Sequence, residues 1–143
     1  MKYKFLGGLA LAVGLSVAIT AGSGQAAGAA CVDYNYRYGS RGTCVKYLQT
    51  LANQYGSTSL RADGIFGVQT DSAIRKTQSS WGLVSDGIVG YRTWGLLCTV
   101  QAGWIDEYGR SHMLVPDNWP LSTAKAAGCS KYWKGAIVAG VQY

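Results

Sequence analysis

The stretch Leu60-Arg61-Ala62-Asp63-Gly64-Ile65-Phe66-Gly67-Val68-Gln69-Thr70 returns further along the chain as Leu83-Val84-Ser85-Asp86-Gly87-Ile88-Val89-Gly90-Tyr91-Arg92-Thr93. Leu, Asp, Gly, Ile, Gly and Thr recur in type, and Phe66 and Val89 are both apolar. A short unit used twice implies one local structure built twice. Asp-Gly is a turn signal, because Asp accepts hydrogen bonds from nearby backbone N–H groups and Gly adopts positive φ. Ile65, Phe66, Ile88, Val89 and Trp94 are expected in the core. Gly67 and Gly90 should each open a helix, with Thr70 and Thr93 near its start.

Helical spacing continues on both sides of the repeats. Val45, Leu48, Leu51, Ala52 and Tyr55 form one apolar stripe. Thr43 is placed to cap that helix, and Gly56-Ser57-Thr58-Ser59 to end it. Ala73, Ile74 and Thr77 continue the face of a second helix, closed by Trp81-Gly82-Leu83. A shorter third helix carries Trp94, Leu96 and Leu97 and ends at Cys98. The fold class is therefore mainly α: three helices joined by two similar Asp-Gly turns over residues 39–98. Ahead of them, Tyr34, Tyr36 and Tyr38 alternate, which reads as an extended arm over 31–38. After them, residues 99–143 form an extension of mixed or irregular structure and unknown role. Within it, Trp104 to Leu114 fits a hairpin around Gly109, Ser122 to Ala127 a short helix stopped by Gly128, and Ala136 to Tyr143 a strand.

Residues 1–30 have the layout of a secretory signal peptide: Lys2 and Lys4, an apolar run from Phe5 to Thr20, then small residues. Cleavage is expected near 26–30, after Ala26, Ala29 or Ala30. A membrane anchor is the rival, since the apolar run nearly reaches spanning length. The small-residue tail favours cleavage, with no stable membrane insertion afterwards. Export makes the four cysteines, Cys31, Cys44, Cys98 and Cys129, read as two disulfides with three possible pairings. A module of about 60 residues buries only about 60 % of its unfolded surface and gains from a staple. Cys44 at the start of the first helix and Cys98 at the end of the third are therefore expected to pair, leaving Cys31–Cys129 to tie the flanks. Wide cysteine spacing and a single histidine, His112, argue against a metal site, and no cofactor is expected.

The formal charge of +6 falls to +4 once Lys2 and Lys4 are removed, leaving 11 basic residues against 7 acidic ones. That suits an anionic polymer such as a bacterial wall, and it suits solubility equally well. No dense Lys/Arg cluster points to nucleic acid.

The order Gly39-x-x-Gly42, Val45-x-x-Leu48-Gln49, Asp63-Gly64-Ile65-Phe66-Gly67-x-x-Thr70, Ala73-Ile74, Gln78, Gly82-Leu83, Asp86-Gly87-Ile88-Val89-Gly90-x-x-Thr93-Trp94, Leu97 resembles the peptidoglycan-binding domain family. The resemblance covers about residues 39–98. It implies a three-helix module of the kind found on exported bacterial wall hydrolases, with peptidoglycan as partner, and a secreted or wall-associated location. Two departures stand out. Thr77 occupies the place before Gln78 where the family usually has an aromatic residue, leaving a smaller core or one that Trp81 fills. Val68 and Tyr91 stand where the family often has Pro, which makes Tyr91 an exposed aromatic candidate.

Asp63, Gly64, Phe66, Gly67, Thr70 and their counterparts Asp86, Gly87, Gly90, Thr93 and Trp94 read first as architecture. Binding a glycan–peptide polymer needs aromatic faces for sugar rings and amide or guanidinium groups for acetamido and peptide groups. Tyr38, Arg41, Gln69, Tyr91 and Arg92 are the candidates, against a plain reading as solvated surface.

An enzyme is not expected. Apart from the turn aspartates, the acidic residues are Asp33, Asp71, Asp106, Glu107 and Asp117, and adjacent Asp106 and Glu107 would face opposite sides of a strand. No Gly-x-Ser-x-Gly elbow accompanies His112. The leading expectation is a secreted, non-catalytic wall-binding protein. The alternative is a secreted interaction or inhibitor protein that uses Trp104, Tyr108, Trp119, Tyr132 and Trp133 as a surface for a protein partner. A wall hydrolase using Glu107 comes third.

Overall fold

The structure, a computed structural model, describes residues 29–55, 59–99, 101–105, 107–108, 111–138 and 141–143. The expected leader, apart from its last two residues, lies outside them, as do residues 56–58, Asp106 and Gly109. A short 3-10 helix, Cys31–Asp33, begins the described chain. Helices α1 (Thr43–Ala52), α2 (Val68–Ser80) and α3 (Tyr91–Leu97) follow. The extension then contributes β1 (Gln101–Ile105), β2 (Ser111–Leu114), α4 (Leu121–Ala127), a second 3-10 helix (Cys129–Tyr132), β3 (Ala136–Val138) and β4 (Val141–Gln142). Among the described residues no helix is long and apolar enough to cross a membrane.

The three helices form where the apolar periodicity places them. Val45, Leu48, Leu51 and Ala52 of α1 are buried, as are Ala73, Ile74 and Thr77 of α2 and Trp94 and Leu97 of α3. The first helix starts one residue earlier than expected: Gly42 is the N-cap, at φ +118°, and Thr43 is already helical. Trp81 does not fill the space beside Thr77. It terminates α2 at 57 % exposure and meets the edge of the Tyr55 ring, with centroids 6.0 Å apart. The arm is extended only past its first turn, since Cys31–Asp33 is 3-10. Its alternation is real beyond that point: Tyr36 turns inward against Trp94, while Tyr34 and Tyr38 face solvent.

One core expectation is overturned. Phe66 and Val89 are fully buried, but Ile65 is 43 % and Ile88 37 % exposed. The segments carrying them are extended and pair with the arm. Tyr36 exchanges backbone hydrogen bonds with Val89, Gly39 donates to Phe66, and Phe66 donates to Ser40. Neighbouring side chains in an extended segment point to opposite faces, so Phe66 and Val89 can enter the core only if Ile65 and Ile88 leave it.

The disulfide expectation is also overturned. Cys31 bonds to Cys44 and Cys98 to Cys129, with Cα separations of 5.4 and 5.2 Å. A disulfide requires its Cα atoms within about 4.4–6.8 Å. The 3-10 turn of the arm lies at the start of α1, and the second 3-10 helix lies against α3, so each module end meets its nearest flank instead of the opposite end. Both bridges therefore fasten residues outside the repeats to the module.

The extension shares the module's core. A single cluster joins Val32, Val45, Leu48, Leu51, Phe66, Ile74 and Trp94 to Trp119, Ala124, Ala127, Trp133 and Val138. Helix α4 packs on α1. Trp133, also fully buried, donates its indole N–H to the Cys98 carbonyl at 2.8 Å. The strands form one sheet in the order β1-β2-β3-β4. β1 and β2 are the expected hairpin, β2 and β3 run parallel across the α4 crossover, and β4 folds back on β3. Helix α4 stops at Gly128, which adopts φ +93° and lies so close to Ala30 that a Cβ there would collide with it.

Candidate functional site

Two buried glutamines hold the repeated turns. Gln49, on the apolar stripe of α1, is 1 % exposed. Its Nε2 group donates to Asp63 Oδ1, the Ile65 carbonyl and Thr70 Oγ1, each at 3.0 Å, and its Oε1 accepts from the Gly64 N–H at 2.9 Å. Gln78 of α2, also 1 % exposed, repeats the arrangement in full. It donates to Asp86 Oδ1, the Ile88 carbonyl and Thr93 Oγ1, each at 3.0 Å, and accepts from the Gly87 N–H at 3.0 Å. Asp63 and Asp86 each take a further hydrogen bond from the N–H two residues on, at 2.9 and 2.8 Å, closing an Asx turn. Thr70 and Thr93 hydroxyls donate back to the Ile65 and Ile88 carbonyls. A carboxamide has two N–H donors and one acceptor oxygen, so here the two N–H groups are shared among three acceptors at 3.0 Å while the oxygen takes the glycine N–H.

This accounts for the pattern of identity. Asp, Gly and Thr are the residues the carboxamide bonds, and Gly64 and Gly87 need the positive φ of +78° and +70°. Gly87 is further fixed by a close approach, because a Cβ there would run into the Asp71–Arg75 ion pair. The Gln49 hydrogen bond, followed by that of the Ile65 N–H, holds the Asp63 carboxyl below its ordinary 3.8.

Beside each latched turn lies a groove. The first, of about 230 Å³, is lined by Leu60, Arg61, Ile65, Val68 and Gln69 over the polar floor of Gln49, Asp63 and Thr70. The second, of about 420 Å³, is lined by Leu83, Val84, Ile88, Tyr91 and Arg92 over Gln78, Asp86 and Thr93, with Asn35 added from the arm. The repeats thus generate related grooves, whose walls combine shared residues, Leu60 with Leu83 and Ile65 with Ile88, and positions that differ, Val68 with Tyr91 and Gln69 with Arg92. Ile65 and Ile88, expected in the core, are instead wall residues.

Of the binding candidates, Gln69 lines the first groove, and Tyr91 and Arg92 line the second. Tyr38 and Arg41 are exposed but line neither, and the Arg41 backbone pairs with Ile65. Sequence reading missed the role of Gln49 and Gln78, although a polar residue on an apolar helical face before each Asp-Gly was the available signal. It also missed Asn35 and Tyr132, which no repeat position marks. Tyr132 stacks obliquely on Tyr91, with ring centroids 5.3 Å apart at 38°, and donates its hydroxyl to the Tyr91 carbonyl at 2.9 Å. Burial pushes that hydroxyl up to about 12, so it remains a donor at neutral pH.

The other candidate groups are dispersed. Glu107 is exposed between β1 and β2, Asp117 is exposed after β2, and His112 is half-buried on β2. Asp71 pairs with Arg75 at 2.8 Å and Asp33 with Lys131 at 2.5 Å. Among the described residues no three His, Cys, Asp or Glu side chains are grouped to hold a metal ion. Of the aromatic residues expected as a partner surface, Trp119 and Trp133 are buried, Tyr132 is half-buried and Tyr108 is exposed, while the Trp104 side chain lies outside what the structure describes.

Residues 41–97 match the sequence model of the family described as "Putative peptidoglycan binding domain". Over 65 residues the chain is 38 % identical to the zinc D-Ala-D-Ala carboxypeptidase of Streptomyces albus G, a match covering 44 % of this chain and 26 % of that enzyme. Among solved structures, the Burkholderia AP3 phage endolysin is 41 % identical with a TM-score of 0.43, over 44 % of this chain and 24 % of its own. A peptidoglycan-binding protein from Clostridioides difficile is 33 % identical with a TM-score of 0.44, over 46 % of this chain and 41 % of its own. The chain spans about a quarter of the length of the curated relative it matches.

Proposed function

Starting from residues 41–97 as a domain of the peptidoglycan-binding family, we propose that this chain is a secreted, non-catalytic protein that binds cell-wall peptidoglycan through the grooves beside its two latched turns. The observation that carries the reading is the partition within the repeat. The constant Asp, Gly and Thr residues are consumed by the Gln49 and Gln78 networks, and the constant Ile65 and Ile88 together with the variable Val68 and Tyr91 are left exposed at the groove walls. Apolar side chains held at a rigid concave surface, with Gln69, Arg61 and Arg92 among them, suit a polymer of sugars and short peptides.

Export is supported by the leader in the sequence and by two disulfides, which form and persist outside reducing compartments. The non-catalytic reading is supported by the dispersal of Glu107, Asp117 and His112 away from the grooves. Burial of Trp119 and Trp133 removes much of the motive for a protein-partner surface on the extension. The test is co-sedimentation of the oxidised, folded mature protein with purified insoluble peptidoglycan at low salt. Retention in the pellet is expected, and a protein left wholly in the supernatant would refute the reading.

A further inference from the structure

The two grooves differ in lining and in support. Val68 and Gln69 of the first correspond to Tyr91 and Arg92 of the second. At about 420 Å³ the second lies within the range of about 300–1,000 Å³ usual for small-molecule sites, and the first, at about 230 Å³, lies below it. Only the second receives residues from outside the matched domain. Asn35 of the arm lines it, with its Oδ1 3.0 Å from where a Cβ on Gly90 would stand. Tyr132 of the extension backs Tyr91 by stacking and by its hydroxyl hydrogen bond. It can lie along α3 because Gly95 has no side chain, and a Cβ there would come within 3.3 Å of the Tyr132 ring.

Both flanks are anchored next to these residues. Cys31–Cys44 fixes the arm just before Asn35, and Cys98–Cys129 fixes the extension just before Tyr132. Lys131 bridges both oxygens of Asp33 at 2.5 and 2.6 Å, joining one flank to the other. The result is a tyrosine ring that is backed by a second ring on one side and remains 77 % exposed at the groove wall.

We propose that the second groove is a saccharide site, completed by the two disulfide-tethered flanks, that holds an N-acetylated amino sugar of the glycan. This rests on the wall-binding reading. The Tyr91 ring is the platform for the apolar face of the sugar. The Asn35 carboxamide hydrogen-bonds the acetamido group, Val84 and Ile88 receive its methyl, and the Arg92 guanidinium donates to hydroxyl oxygens of the sugar. The first groove, with no aromatic wall, contributes little to sugar affinity.

The test titrates the oxidised full-length mature protein with a tetramer of N-acetylglucosamine, with a free wall stem peptide, and with insoluble peptidoglycan. The tetramer should perturb the amide resonances of Asn35, Tyr91 and Arg92. Tyr91→Ala should weaken its binding about tenfold, as truncation of a contact aromatic commonly does. Tyr91→Leu, which keeps apolar bulk and helix propensity, should weaken it similarly, and Tyr91→Trp should restore it. Val68→Ala and Gln69→Ala should change it less than about twofold, as surface substitutions away from a contact do. Protein that binds peptidoglycan but not the tetramer, that loses tetramer binding through Val68 or Gln69, or that answers at Tyr91 only to the stem peptide would overturn this assignment and leave the wall-binding reading standing. Protein that does not bind peptidoglycan at all overturns both.

Discussion

The Gln49 carboxamide donates to the Asp63 carboxylate at 3.0 Å, fastening α1 to a turn 14 residues further along the chain. The same buried group satisfies the Gly64 N–H and the Thr70 hydroxyl, so its removal leaves several polar atoms short of partners at once. Gln49→Leu and Gln78→Leu keep the volume and lose the bonds. Each should destabilise the fold by about 2–4 kcal/mol in denaturant unfolding, since buried unsatisfied donors and acceptors carry most of that cost. A change below about 0.5 kcal/mol would mean the network is incidental to the turns.

Stability should fall in acid. Asp33 is held below its ordinary 3.8 mainly by the hydrogen bond from Lys131, and Asp63 mainly by that from Gln49. A carboxyl with a lowered folded pKa contributes stability above its unfolded value and loses it as pH drops through the folded one. Melting temperature should therefore hold down to about pH 4 and decline below it. Asp63→Asn should flatten part of that decline, and an unchanged acid profile in this variant would contradict the assignment.

Non-reducing peptide mapping should join Cys31 to Cys44 and Cys98 to Cys129. The sequence separations of 13 and 31 correspond, in the chain-entropy view, to about 3 and about 3.5 kcal/mol of stabilisation. Replacing Cys98 and Cys129 together by Ser should lower the melting temperature more than replacing Cys31 and Cys44. The reverse order would mean that local packing outweighs loop closure.

Cutting the chain after residue 98 should not release a folded module. The cut removes Trp119, Ala124, Ala127 and Trp133 from the shared core and leaves Cys98 unpaired. Residues 31–98 alone should show poorly dispersed amide resonances and melt without a cooperative transition, whereas a well-dispersed spectrum would show the extension to be an appendage.

The fold was legible where the sequence repeats itself or keeps period. The Asp-Gly turns, the faces of α1, α2 and α3, and the stop at Gly128 all follow from local chemistry that a single chain displays. Ile65 and Ile88 misled because apolarity signals burial without saying which of two neighbours in an extended segment turns inward. The disulfides misled because pairing depends on where the flanks return, and that is set by packing of α4 on α1, a contact between residues far apart in sequence. Tyr91 and Arg92 stood out as variable positions beside constant ones. Asn35 and Tyr132 could not, since they reach the second groove only through tertiary structure.

The most direct test of the central claim is a chemical-shift map of the oxidised mature protein during titration with soluble peptidoglycan fragments. The account predicts saturable shifts concentrated on the residues lining the two grooves, among them Ile65, Gln69, Ile88, Tyr91 and Arg92. Shifts confined to the β1–β2 hairpin around Tyr108, or no saturable shifts at all, would contradict it.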